Sequence, residues 1–239
     1  MAIGVAAIAS AASTTIQVGN LVLTFGGTIS PSKLPKSKYA PITSNIFGEI
    51  KTNDGTHPSA LRESVVDITN VKVDNKGIPV CKAAQLQARD TKAAKKVCGK
   101  STVGSGLAHA EIAFPEQKPI RVASPITVFN GGTSGGKTKL LIHTFITVPV
   151  PAAIVTDVTI KKKGSGINAV AKVPVIAGGS GSAVDFKFKV TKGVSAKCPG
   201  GSIKATTTKT VFKNEAGTPG VAAQTILKGS VLVPCKPKG

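Results

Sequence analysis

The most specific chemical motif in the sequence is the segment 131–138, GGTSGGKT, which satisfies the pattern G-x-x-x-x-G-K-[ST] of phosphate-binding loops. Its defining positions are Gly131, Gly136, Lys137 and Thr138. Such a loop binds phosphate only when it opens a helix whose N-terminus faces the anion. Residues 141–148, LIHTFITV, are instead rich in β-branched side chains and predict a strand. We therefore predict a chance match in a hairpin, with no nucleotide-binding site and no cofactor.

The histidines give little support for catalysis. Asp54 and His57 lie in a turn-like stretch, NDGTHP, where the two side chains could meet. A serine hydrolase would need a nucleophile elbow such as G-x-S-x-G, and the nearest string, residues 179–182 (GSGS), does not complete one. We predict that NDGTHP builds a turn, that His143 is a core residue of a strand, and that His109 forms a surface pair with Glu111. No catalytic residue is assigned.

Four cysteines, Cys81, Cys98, Cys198 and Cys235, form an even set, which favours disulfides in an exported chain. Three connectivities are possible, and sequence proximity favours Cys81–Cys98 and Cys198–Cys235. The competing interpretation is zinc, which prefers closely spaced ligand pairs such as C-x2-C. Here 16 residues separate the first pair and 36 the second, so no metal site is predicted.

Lysine dominates the charge of the chain, which has 31 Lys and Arg against 11 Asp and Glu and a formal net charge of +20. Residues 161–239 carry 14 basic and 2 acidic side chains. Lys161, Lys162 and Lys163 directly precede the turn signal Gly164-Ser165-Gly166, which predicts three lysines at a hairpin tip. A surface of this charge attracts polyanions, weakly and in a salt-dependent way. The alternative is that the lysines solvate the surface and protect strand edges from aggregation.

The N-terminal residues 1–12, MAIGVAAIASAA, form a small apolar run with A-x-A sites, which is typical of a signal peptide. No basic residue precedes the run, so the signal is incomplete, and an ordinary apolar segment is the alternative. The sequence contains no stretch of about 18 apolar residues, so no transmembrane helix is predicted. We expect an extracellular or cell-envelope protein.

Alternation with period two is the main structural signal. In Asp185–Val190, DFKFKV, the two phenylalanines and the valine share one face, which predicts a half-buried antiparallel strand. Roughly eleven such segments, separated by glycine-rich turns, are typical of a sandwich or a barrel. Residues 82–97, KAAQLQARDTKAAKKV, lack Gly and Pro and predict one short helix bracketed by Cys81 and Cys98. We predict an all-β antiparallel sandwich over residues 16–239, forming one unit with a possible subdivision near 115–120.

Several short motifs resemble a group of exported proteins that occur in many paralogous copies in high-GC soil bacteria. They include 77–81 (GIPVC), 103–106 (VGSG), 54–61 (DGTHPSAL) and 129–131 (FNG). The resemblance covers about residues 30 to 235. It implies secretion and a β-rich fold, and it transfers no catalytic residue because no activity is assigned to that group.

Taken together, these patterns predict a non-catalytic secreted or cell-envelope protein. The alternative is a lysine-mediated polyanion-binding module whose partner is an envelope polymer or nucleic acid. An extracellular hydrolase is the third hypothesis.

Overall fold

The computed structural model describes residues 11–238, which form an all-β protein with one short α-helix. The predicted signal peptide, residues 1–12, lies almost wholly outside the described residues. The longer strands are β1 (Ala12–Val18), β2 (Leu21–Ser30), β5 (Thr43–Thr52), β6 (Ala60–Ile68), β8 (Thr102–Phe114), β9 (Gln117–Ser134), β10 (Lys137–Ile146), β11 (Ala152–Lys163), β12 (Gly166–Lys172), β13 (Gly181–Val190), β15 (Ser202–Lys213) and β16 (Gln224–Pro234). The shorter strands are β3 (Lys33–Pro35), β4 (Ala40–Pro41), β7 (Val71–Val73), β14 (Val194–Ala196) and β17 (Lys236–Lys238). The helix is α1 (Thr91–Cys98).

The twelve longer strands form one antiparallel sheet in the order β1-β2-β5-β13-β8-β9-β10-β11-β12-β6-β15-β16. The last strand, β16, lies against β1 and β2, so the sheet curls round and nearly closes into a barrel-like shape. The prediction of a sandwich is therefore corrected, because these strands belong to one continuous sheet rather than to two facing sheets. The β-rich class and the short helix are confirmed.

The possible domain boundary near 115–120 falls in a tight turn. Pro115 and Glu116 connect β8 to β9, and these two strands pair with each other from Thr102 to Phe114. The turn is therefore the end of a hairpin rather than a linker between two units.

Apolar side chains fill the interior of the sheet in three clusters. The largest includes Val103, Val128 and Ile160, and it lies toward one end of the sheet. The alternation predicted for Asp185–Val190 is confirmed, since Phe186 and Phe188 pack against this cluster. The two smaller interior clusters lie toward the other end and contain residues such as Phe212 and Ile112.

A cap of short strands covers the end of the sheet near the largest cluster. Strands β4, β14 and β7 form a three-stranded sheet, and β17 pairs in parallel with β3. Leu34 of β3 is fully buried and packs into the largest cluster beside the disulfide of Cys198 and Cys235. The cap therefore shields apolar side chains that the open end of the sheet would expose.

The single helix predicted over 82–97 is two separate pieces. A 3-10 turn covers Ala83–Gln85, and α1 begins only at Thr91. Between them Ala88 adopts a φ of 56°, and the carboxylate of Asp90 accepts a hydrogen bond from the amide of Ala93 at 2.6 Å. Asp90 is thus the N-cap of α1, so the helix begins after this residue instead of continuing from the 3-10 turn.

No helix in the described part of the chain is long and apolar enough to cross a membrane.

Candidate functional site

Two hairpin tips lie beside the cap, one between β9 and β10 and the other between β11 and β12. Together with the cap they carry a dense set of exposed lysines, which we call the lysine-rich end. Its members are Lys33, Lys36, Lys38, Lys72, Lys76, Lys137, Lys161, Lys162, Lys163, Lys192, Lys236 and Lys238. Two acidic residues lie among them. Asp67 binds Lys163 at 2.6 Å, and Asp74 binds Lys72 at 3.4 Å. Positive charge is therefore concentrated at one end of the molecule.

Two pairs of lysines at this end are direct neighbours across paired strands. Lys33 of β3 is the register partner of Lys236 of β17, and Lys137 of β10 is the register partner of Lys161 of β11. Side chains at such positions lie on the same face, where like charges destabilise the pairing. A bound polyanion would offset such repulsion.

The predicted lysine tip is held against the cap by defined contacts. Strand β11 ends with Lys161, Lys162 and Lys163 beside the turn to β12, as the sequence predicts. At the turn, the hydroxyl of Tyr39 donates to the carbonyl of Ser165 at 2.6 Å. The ammonium group of Lys197 lies 5.3 Å from the centre of the Tyr39 ring. The hairpin tip and the cap therefore form a single charged surface.

A second feature is a cavity of about 430 Å³ on the outer face of the sheet, toward the end opposite the cap. Its polar lining comes from β5, β8, β9 and β13, and the segment 55–58 forms one wall. Asp185 is central to it, because its two oxygens bind the ring of His109 at 2.7 Å and the guanidinium of Arg121. The predicted pairing of His109 with Glu111 is therefore wrong. The cross-strand register partner, Asp185, supplies the acceptor instead.

His57 and Asp54 do not meet, although they are three residues apart. Asp54 accepts hydrogen bonds from the Thr56 hydroxyl, the Thr56 amide and the amide group of Asn20, which hold the pKa of Asp54 well below its usual range. The nearest carboxylate to His57 is instead that of Glu111, whose Oε2 lies 3.7 Å from Nδ1 of the His57 ring. The His57 side chain is 9% exposed, and neither ring nitrogen has a hydrogen-bond partner. Burial lowers the pKa of His57, so the ring is neutral at neutral pH.

His143 is fully buried, but it lies outside the sheet interior. It shares a small cluster with Phe129 and Leu141 beneath the helical segment, on the outer face of β9 and β10. Its Nε2 donates to the carbonyl of Arg89 at 2.9 Å, and burial lowers the pKa of the ring. His143 therefore holds the helical segment onto the sheet.

The phosphate-loop motif lies in the hairpin between β9 and β10. Gly135 and Gly136 form its turn with φ values of 55° and 72°, and Lys137 begins β10. A strand rather than a helix follows the motif, so no helix N-terminus faces its glycines. The same hairpin contains a G-x-S-x-G string at 132–136, which sequence reasoning missed, and Ser134 there is exposed at a strand end rather than held in an elbow before a helix.

Both predicted disulfides are present, Cys81–Cys98 and Cys198–Cys235, and the described residues contain no free cysteine. Over residues 11–238 no group of three or more His, Cys, Asp or Glu side chains is arranged to hold a metal ion.

Comparison with protein families, with curated proteins and with solved structures finds no match for this chain.

Sequence reasoning missed the association of Glu111, Arg121 and Asp185 in the cavity. These residues lie on three different strands, β8, β9 and β13, and no local spacing connects them. The available signal was weak. Each is a charged residue in an alternating segment, which predicts only that it faces outward.

Proposed function

We propose that this protein is a non-catalytic extracellular or cell-envelope protein that binds anionic polymers through its lysine-rich end. The observation that carries the proposal is two pairs of like-charged neighbours, Lys33 with Lys236 and Lys137 with Lys161, on a surface with few acidic residues. Two disulfides and the apolar start of the sequence support the extracellular or envelope location. The resemblance to exported proteins of soil bacteria agrees with that location.

Charge density, rather than recognition of a particular sequence or sugar, would govern such binding. The chain has few arginines and no tryptophan, and Tyr39 is its sole tyrosine. Bidentate arginine contacts and aromatic stacking platforms, which usually confer specificity for nucleic acids, are therefore scarce. We expect weak binding, with an affinity that falls steeply as the salt concentration rises.

The test compares two variants that lose the same charge. In the first, Lys33, Lys137, Lys161 and Lys236 are replaced by Gln. In the control, four exposed lysines elsewhere on the sheet are replaced by Gln, namely Lys118, Lys172, Lys213 and Lys228. Binding of a fluorescein-labelled DNA duplex is measured by anisotropy between low and physiological salt.

The first variant should lose most of its affinity, and the slope of log affinity against log salt should shrink by up to about 3.6, at roughly 0.9 per phosphate contact. The control should bind nearly as well as the wild type. An equal loss in both variants would show that the lysines act only through net charge, and the proposal would then be abandoned.

A further inference from the structure

The outer-face cavity contains a carboxylate that the protein leaves without a cationic partner. Among the described residues, five carboxylates within 4.0 Å of a basic side chain are no more than 31% exposed, and in four of them the partner is a lysine or arginine: Glu63 with Lys209, Asp67 with Lys163, Asp185 with Arg121, and Glu215 with Arg62. Glu111 is the fifth, and its side chain is 26% exposed. The group within that distance of Glu111 is the buried imidazole of His57. In a chain with a net charge of +20, this exception is unexpected.

Arg121, the neighbouring arginine, does not bind Glu111. Arg121 is its register partner across β8 and β9, which is the position from which a cross-strand ion pair usually forms. The Arg121 guanidinium instead donates to Asp185. Lys51, the other cation in the cavity lining, binds Glu49 at 3.3 Å. Both cations of the cavity are thus bound to other carboxylates.

The walls of the cavity suit an aliphatic group that carries a positive charge. Pro58 and Val184 line the cavity together with the carboxylate of Glu111. A methylene chain packs well against apolar side chains while its charged end meets a carboxylate. A partly buried carboxylate binds an ammonium group more strongly than one in bulk water does, because the surrounding dielectric constant is lower.

We propose that this cavity binds a primary ammonium group on an aliphatic stem, with Glu111 as the acceptor. The amine comes either from a small free molecule or from a lysine side chain of a second copy of this chain. His57 keeps Glu111 uncompensated at neutral pH because its ring carries no charge there. This site is separate from the lysine-rich end, and the proposal does not depend on polyanion binding.

The test uses Nα-acetyl-lysine amide as the probe and Nα-acetyl-norleucine amide as its uncharged analogue. The probe is titrated into the wild-type protein at pH 7.5 and low salt while NMR follows the methyl signals of Val184. Saturable shifts with the lysine probe, and none with the norleucine analogue, are expected. Absence of such shifts in the wild-type protein overturns the proposal without any variant being needed.

Substitution then assigns the acceptor. Glu111→Gln keeps the shape and removes the charge, and it should weaken binding of the lysine probe by about tenfold or more. The matched control is Glu63→Gln, which removes a carboxylate of similar exposure on β6 and should leave binding unchanged. Equal binding by wild type and Glu111→Gln, with both proteins folded by thermal melting, contradicts the assignment of Glu111.

Sedimentation equilibrium at low salt distinguishes the two sources of the amine. Self-association of the wild-type protein that Glu111→Gln abolishes identifies the lysine of a second copy as the occupant. A monomeric wild-type protein that binds the probe identifies a free amine. Once the lysine probe has produced its shifts, either result supports the ammonium site, whereas association that persists in Glu111→Gln together with no binding of the probe overturns it.

Discussion

At the scale of single residues, Arg62 joins three segments of the chain at the end of the sheet opposite the cap. Its Nε donates to Oε1 of Glu215 at 2.7 Å, a second nitrogen binds Oε2, and a third donates to the carbonyl of Pro174. The Arg62 side chain is 10% exposed and that of Glu215 is 23% exposed. The planar guanidinium group donates hydrogen bonds from three nitrogens at once, and the single ammonium group of lysine cannot reproduce this geometry.

We therefore expect Arg62→Lys to lower the free energy of unfolding by about 1–3 kcal/mol, because it leaves a partly buried carboxylate and a carbonyl without full partners. Urea unfolding at pH 7 measures the change. The control is Arg121→Lys, since Arg121 is 55% exposed and its pair with Asp185 should contribute less than about 1 kcal/mol. A larger loss in the control would show that burial of the ion pair does not determine how much it stabilises the protein.

The same pair has a predictable pH dependence. Hydrogen bonds from Arg62 hold the pKa of Glu215 below its ordinary value of 4.5. The unfolded chain therefore takes up a proton at higher pH than the folded protein does, so the stabilisation is complete above the ordinary pKa and is lost as pH falls through the folded pKa. The difference in stability between wild type and Arg62→Lys should accordingly shrink as pH falls below the ordinary pKa of 4.5 and through the lower folded pKa of Glu215.

At the scale of elements, the two disulfides fix segments that have little regular structure of their own. Cys81–Cys98 encloses the 3-10 turn and α1, and Cys198–Cys235 ties the start of β15 and the end of β16 to the cap. The amide of Cys198 also donates to the carbonyl of Pro35 at 2.9 Å, which connects this disulfide to β3. The second bridge therefore restrains the strands that cover the largest interior cluster.

Replacement of Cys198 and Cys235 by Ser should cost up to about 4 kcal/mol of unfolding free energy, and replacement of Cys81 and Cys98 up to about 3 kcal/mol, because the first pair closes the longer loop. Urea unfolding gives the two values. Hydrogen exchange at the amides of Cys198 and Lys236 should accelerate in the first variant and stay slow in the second. Fast exchange at both amides in both variants would show that the cap is not held by its own disulfide.

At the scale of the whole molecule, the fold depends on a seam between the first and last long strands. Ile16 of β1 packs against the interior cluster that contains Leu227 of β16. Gly229 of β16 lies directly against this side chain, because a Cβ there would lie 2.3 Å from Cδ1 of Ile16 and the Ile16 side chain would have to shift. The closure brings together strands separated by almost the full length of the chain.

Ile16→Ala should therefore destabilise the protein by about 1–3 kcal/mol through loss of packing at the seam. Val18→Ala, on the same strand but 45% exposed, should change stability by less than about 0.5 kcal/mol. Thermal or urea unfolding of the two variants makes the comparison. Equal effects would mean that β1 contributes little to closure of the sheet.

The sequence by itself determined the properties that depend on local order. Alternation with period two identified strands such as Asp185–Val190, because side chains on a strand point to opposite faces whatever its partner is. Spacing indicated the disulfide pairs, because short loops cost the least entropy to close. The turn signal after Lys163 indicated the lysine tip, because glycine adopts backbone conformations that other residues avoid.

Only the tertiary structure decided which strands pair and which charges meet. Alternation assigns a face to each residue but no neighbouring strand, so closure of the sheet by β1 and β16 could not be derived from it. The choice of Arg121 to bind Asp185, which leaves Glu111 beside a neutral His57, depends on three strands brought together by long-range pairing. Long side chains select among several nearby acceptors according to geometry, and that geometry exists only in the folded chain.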